Sequence, residues 1–150
     1  MPEVGERIET FELAGLDGPV RVPDPQGRRT LLMFFQEAGT PTCSTQVQSV
    51  ASEAPLLDEL GAIAVCVSTD PPEALQRFRA NLNGQVVLAQ DEGGELARRF
   101  GVYDDVSRRA QRAAFVIDPD GTLLKAIPWY NPMHADQLAS LFEALGLTDD

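Results

Sequence analysis

The chain has 150 residues, 43% of them hydrophobic and 23% charged, and a formal net charge of −11; that length suits one domain over residues 1–150 with a sizeable core. Ordinary composition excludes a disordered or repetitive chain, and the acidity disfavours sequence-independent binding to nucleic acid or an anionic membrane, both of which are held by basic clusters. No run approaches the roughly 18 apolar residues of a membrane span, and the opening MPEVGERIETFELAG lacks a basic segment followed by an apolar one, so a cytoplasmic protein is expected.

The first segment is punctuated by turn signals at Leu16-Asp17-Gly18-Pro19 and Pro23-Asp24-Pro25-Gln26-Gly27. The run Leu31 to Phe35 is apolar throughout and reads as a buried central strand. Thr40 is then a preferred N-cap with Pro41 at the first helical position, where its missing N–H costs nothing. That start places Cys43 in the first helical turn. Val47, Val50, Ala51, Ala54 and Leu57 follow at spacings of three and four, so Cys43 shares their inward face, and Pro55 should kink or split the helix.

Ala62 to Val67 reads as a second buried strand. Asp70 as cap, Pro71 at the first position and Glu73 at the third predict the next helix, which turns Leu75, Phe78 and Leu82 to the core. Val86 to Ala89 is a short strand, and Glu95 to Phe100 a short helix closed by Gly101. Ala113 to Ile117 and Leu123 to Ile127 flank Asp118-Pro119-Asp120-Gly121 as a hairpin. A last helix carries Leu138, Leu141, Phe142 and Leu145 and stops at Gly146. This order predicts an α/β sandwich around a mixed sheet, parallel at the front with an added antiparallel pair, and a site beyond the carboxyl ends of the strands. The loop from Gln36 to Thr42 lies at such an end.

A thiolate is the reactive form of cysteine, and the first turn of a helix offers unpaired N–H groups and the positive end of the dipole to stabilise it. Free cysteine is also an ordinary core residue, but a Thr-Pro helix start directly after a buried strand favours the reactive reading for Cys43. Cys66, inside an apolar strand with no charge beside it, reads as inert. Arg112 abuts the strand beginning at Ala113 and is the arginine expected to turn toward the loop; Arg108 and Arg109 read as solvated. His134 reads as a capping or solvated residue, and Trp129 and Tyr130 as packing. Two cysteines and one histidine, far apart in the chain, make no metal site, and no cofactor is expected. Gln46 stands three after Cys43, so a Cys-x-x-Cys dithiol exchange is disfavoured.

Leu31 to Phe35 followed by Thr40-Pro41-Thr42-Cys43-Ser44-Thr45-Gln46 resembles the active-site segment of peroxiredoxins, of the thiol-specific antioxidant and alkyl hydroperoxide reductase superfamily, and most closely the bacterioferritin-comigratory (Q) type. The resemblance extends to Val65 to Pro72, Gly94 to Tyr103, and Arg112 to Gly121. It implies a thioredoxin-like fold with a central mixed sheet flanked by helices, and reduction of hydrogen peroxide or organic hydroperoxides. Cys43 would attack the O–O bond and become a sulfenic acid. Thr40 would donate or relay a hydrogen bond, Arg112 would stabilise thiolate and peroxide, and Gln46 would hold Arg112.

Two departures stand out. The family proline falls on Gln36, and the subfamily's frequent partner cysteine falls on Gln48. Gln36 replaces a shielding ring by an amide able to bind peroxide or thiolate, or to admit water. Without a partner at Gln48, and with Cys66 in the wrong element, a one-cysteine cycle resolved by a thioredoxin-like protein or a low-molecular-weight thiol is expected, in a monomer or homodimer. The rival reading is a slow redox sensor or a binding module on the same fold.

Overall fold

The computed structural model describes residues 2–147, so Met1 and residues 148–150 of the expected 1–150 domain lie outside the described residues. The run expected to form the central strand does so as β3 (Arg29–Phe34), buried from Thr30 to Phe34. Burial on both faces is what its unbroken apolar sequence requires. It lies between β4 (Ala62–Ser68), which runs parallel, and β8 (Ala113–Ile117), which runs antiparallel. Beyond β4 comes β5 (Val87–Gln90), again parallel, and beyond β8 its hairpin partner β9 (Leu123–Ile127).

The other edge was not legible as strands. Phe11–Gly15 (β1) and Gly18–Val22 (β2) form a hairpin over the expected turn, and β1 docks antiparallel on β5, giving the order β2-β1-β5-β4-β3-β8-β9. Phe11 and Leu13 alternate buried with exposed Glu12, the period-two pattern of a half-buried strand.

Alternation along β3 divides the core in two. Leu31, Met33 and Phe35 join one cluster with Val47 and Val50 of α1 (Pro41–Ala51), Leu57 of α2 (Ala54–Glu59), Leu75 and Phe78 of α3 (Pro72–Ala80), and Leu141 and Phe142 of α5 (Ala135–Ala144). Leu32 and Phe34 face the opposite cluster, with Phe11 and Leu13 of the hairpin and Leu96 and Ala97 of α4 (Glu95–Arg99). There Phe100 packs at a tilt against Phe115, at 4.8 Å between ring centroids, and against Phe34, at 5.7 Å. Helices thus flank both faces of a mixed sheet, as expected.

The expected break at Pro55 falls between α1 and α2, with the proline in the first turn of α2, where it removes no helical bond. The start of α3 differs by one residue: Pro71 is the cap and Pro72 opens the helix, and Asp70 makes no capping bond. A two-strand ribbon, β6 (Tyr103–Asp104) with β7 (Arg109–Ala110), was also missed. It lies between α4 and β8 in the chain, and it carries Arg109 to the site.

Candidate active site

At the carboxyl end of β3 the chain must reverse into α1 within a few residues. Gly39 takes φ +92°, a region open to glycine at little cost, and Thr40 is extended at φ −76°, ψ 149° before Pro41 opens the helix. Cys43 is therefore third in α1, and its inward position buries it completely. The Thr40 carbonyl accepts the Ser44 N–H at 2.8 Å, closing the turn that contains Cys43. The backbone N–H of Gln36 donates to Cys43 Sγ at 3.3 Å. A proline at position 36 has no such donor.

Two further polar atoms of Gln36 are engaged. Its side-chain Oε1 accepts Arg112 Nη1 at 2.8 Å, and its backbone carbonyl accepts Arg109 Nη1 at 3.2 Å. Arg112 thus reaches the loop as expected. Its stem is fixed as well: the Arg112 carbonyl accepts the Tyr130 N–H at 2.8 Å, and neighbouring Gln111 donates Nε2 to the Pro128 carbonyl at 2.9 Å. Its partner is a neutral amide, which leaves the guanidinium charge available to an anion.

Arg109 corrects an expectation. It is half-buried rather than solvated, and the same Nη1 that meets Gln36 lies 3.2 Å from Asp70 Oδ1, with Nη2 at 3.7 Å from Glu37 Oε1. Local sequence could not show this, because the β6–β7 ribbon sets the direction. Asp70, expected as a helix cap, instead accepts the Ala38 N–H at 2.8 Å and the Ser68 hydroxyl at 2.6 Å on Oδ2. Only 6% of it is exposed, and a buried carboxylate needs such partners.

Two roles implied by resemblance differ in geometry. The Thr40 hydroxyl donates to the Glu37 carbonyl at 3.2 Å, so its donor serves the loop rather than Sγ. Gln46 is buried one turn after Cys43, but its Nε2 donates to the Phe34 carbonyl at 2.9 Å, and its Oε1 has no partner among the described residues. It pins the end of β3 to α1; Arg112 is held by Gln36.

Gln48 grips the loop after α3. Its Nε2 donates to the Asn83 carbonyl at 2.6 Å while its Oε1 accepts the Asn83 N–H at 2.9 Å. Cys66 is fully buried in β4, and burial pushes its thiol up from 9.0 to about 12. Tyr130 is buried as expected and is also pushed up to about 12, chiefly by burial. Trp129 corrects the packing expectation, being 72% exposed. His134 is exposed at the start of α5 and its side chain makes no capping bond. Among the described residues, no three His, Cys, Asp or Glu side chains gather as a metal site. One backbone donor, from Gln36, meets the buried thiol, and the side chain of the same residue holds Arg112.

The AhpC/TSA family model matches residues 4–126. The chain is 31% identical over 128 residues to Peroxiredoxin Bcp of Escherichia coli, covering 81% of this chain and 82% of that one. It is 27% identical over 150 residues to Peroxiredoxin Bcp of Bacillus subtilis, covering 95% and 94%. The crystal structure of Peroxidoxin BcpB from Mycobacterium tuberculosis superposes with a TM-score of 0.82 at 27% identity, over 96% of this chain and 98% of that one.

Proposed function

Because the chain belongs to the AhpC/TSA family and, as a peroxiredoxin of thioredoxin-like fold, is a thiol peroxidase, we propose that Cys43 is the residue that attacks the peroxide. The observation that carries this reading is the N–H of Gln36 aimed at Sγ at 3.3 Å, on a residue whose side chain holds Arg112 at 2.8 Å. A thiol at that place meets a donor at the start of an 11-residue helix, and the residue that supplies the donor also holds a cation. Each of these stabilises negative charge on sulfur.

The step balances as a two-electron exchange. The Cys43 thiolate attacks the terminal oxygen of a hydroperoxide, an S–O bond forms and the O–O bond breaks, and sulfur becomes a sulfenic acid. The leaving oxygen departs as alkoxide or hydroxide and takes from solvent the proton that the thiol gave up on ionising, becoming an alcohol or water. Arg112 is the group placed to meet that developing charge. Thr40, whose donor serves the Glu37 carbonyl, has lone pairs free to accept a hydrogen bond from the hydroperoxide O–H, which stays on the transferred oxygen. Gln46 supports the site by fixing the end of β3 against α1.

Reduction then needs an external thiol. Cys66 is held in β4 between β3 and β5, and a thiol pushed up to about 12 is protonated near neutral pH. Position 48 holds a glutamine already bound to Asn83. A one-cysteine cycle follows: a thioredoxin-like protein or a low-molecular-weight thiol attacks the sulfenic sulfur, releases water, and a second thiol frees Cys43 as a disulfide leaves. A reducing compartment such as the cytoplasm supplies such thiols. Stopped-flow mixing of the reduced protein with hydrogen peroxide and with an organic hydroperoxide tests the reading. Reaction orders of magnitude faster than free cysteine is expected; a rate equal to free cysteine turns the site into a slow sensor and removes the proposal.

A further inference from the structure

We infer that Asp70 and Arg109 are positioning residues for Cys43, acting through the Gln36–Ala38 backbone that carries the N–H donor to Sγ; this rests on Cys43 being the attacking residue. The loop between β3 and α1 has no regular structure of its own to aim the Gln36 peptide. Something outside it must. The Gln36 carbonyl is fixed by Arg109 Nη1 and the Ala38 N–H by Asp70 Oδ2, and Arg109 and Asp70 are themselves joined at 3.2 Å. Loop, arginine and carboxylate therefore close a ring, anchored to the sheet by the Ser68 hydroxyl at the end of β4.

The charges in this ring are arranged to hold geometry rather than to neutralise sulfur. Asp70 is buried and needs Arg109 as its counter-charge, since breaking such a pair leaves an uncompensated charge. Glu37 adds a second, looser contact to Arg109 at 3.7 Å. Among the described residues Arg112 takes no carboxylate; its guanidinium bonds to the Gln36 amide. One arginine thus braces the loop and the other faces the chemistry. Loosening the brace lets the Gln36 peptide turn, and the donor to Sγ weakens without any change at Cys43, Thr40 or Arg112.

The test is the rate of peroxide reaction for Arg109→Met, Arg109→Lys and the control Arg108→Met, which removes the same charge from an exposed neighbour. R109M is expected to react about tenfold slower, the scale of a hydrogen bond to a charged group, and its pH–rate profile to move toward higher pH. The charged groups facing the loop in that profile are Arg109, Arg112, Asp70 and Glu37. R109K is expected to recover part of the rate, and R108M to match the parent protein. If R109M does not fold, the double variant Asp70→Asn with Arg109→Gln, which leaves no buried charge, takes its place under the same criterion. A folded variant with the parent's rate and pH profile overturns the inference and leaves Cys43 as the attacking residue untouched. Loss of peroxide reactivity in the parent itself overturns that underlying reading instead.

Discussion

Cys43 and Cys66 lie in one hydrophobic cluster on the same face of the sheet, and both are fully buried. Exposure therefore cannot tell them apart. What differs is the polar company each keeps. Cys66 sits mid-strand with its backbone paired on both sides, and burial alone pushes its thiol up to about 12. Cys43 sits where a strand has ended and a helix begins, a place where backbone N–H groups lack helical partners, and one N–H of the preceding loop, from Gln36, points at Sγ. Burial that only removes water disfavours a thiolate; burial that substitutes fixed donors for water shapes a place for charge.

The largest way to break this contrast is to delete each sulfur in turn. Cys43→Ser should abolish peroxide consumption, whereas Cys66→Ala should keep the rate within about twofold and lower stability by about 1–2 kcal/mol through a small cavity. Peroxide assays and urea unfolding on both variants check this. Next, Arg112→Met should slow the peroxide reaction about a hundredfold, the usual scale for losing one preorganised charge-stabilising donor; stopped-flow rates decide it. Gln36 sharpens the picture further, because its two contributions separate. Gln36→Ala keeps the backbone N–H and Gln36→Pro removes it, so the proline variant should be slower than the alanine variant by about tenfold. Equal rates would show that the donor to Sγ contributes nothing.

The smallest effect is a pH dependence of stability. The Cys66 thiol has an ordinary value of 9.0 and is pushed up to about 12 in the fold, and Tyr130 moves from 10.0 to about 12. In this window the unfolded chain releases its protons first, so stability present below pH 9 is lost as pH rises toward 12. Urea midpoints measured across that range should fall, and Cys66→Ala should fall less steeply. Identical slopes would show that burial of Cys66 does not raise its thiol.

The start of α1 that carries Cys43 was legible because Pro41 opens the helix through its own fixed φ, with Thr40 at the cap position although its hydroxyl makes no capping bond. The central strand was legible for a related reason, since Leu31 to Phe34 is apolar at every position. Arg109 and Asp70 were not, because their roles depend on the β6–β7 ribbon and the end of β4 meeting the loop across 39 residues of sequence. Asp70 before two prolines carries a cap signature, and tertiary contacts redirected its carboxylate to the Ala38 N–H. Gln46 and Gln36 illustrate the same limit in reverse: the resemblance to peroxiredoxins gave Gln46 the task of holding Arg112, and the geometry gives that task to Gln36. The β1–β2 hairpin hid because only two side chains of β1, Phe11 and Leu13, face the core.

The central claim is that the two buried thiols differ in chemistry and not in access. It is tested most directly by treating the reduced protein with one equivalent of hydrogen peroxide in the presence of dimedone and locating the adduct by mass spectrometry. The account predicts the adduct on Cys43, with Cys66 recovered unmodified. An adduct on Cys66, or a disulfide joining Cys43 to Cys66, would contradict it.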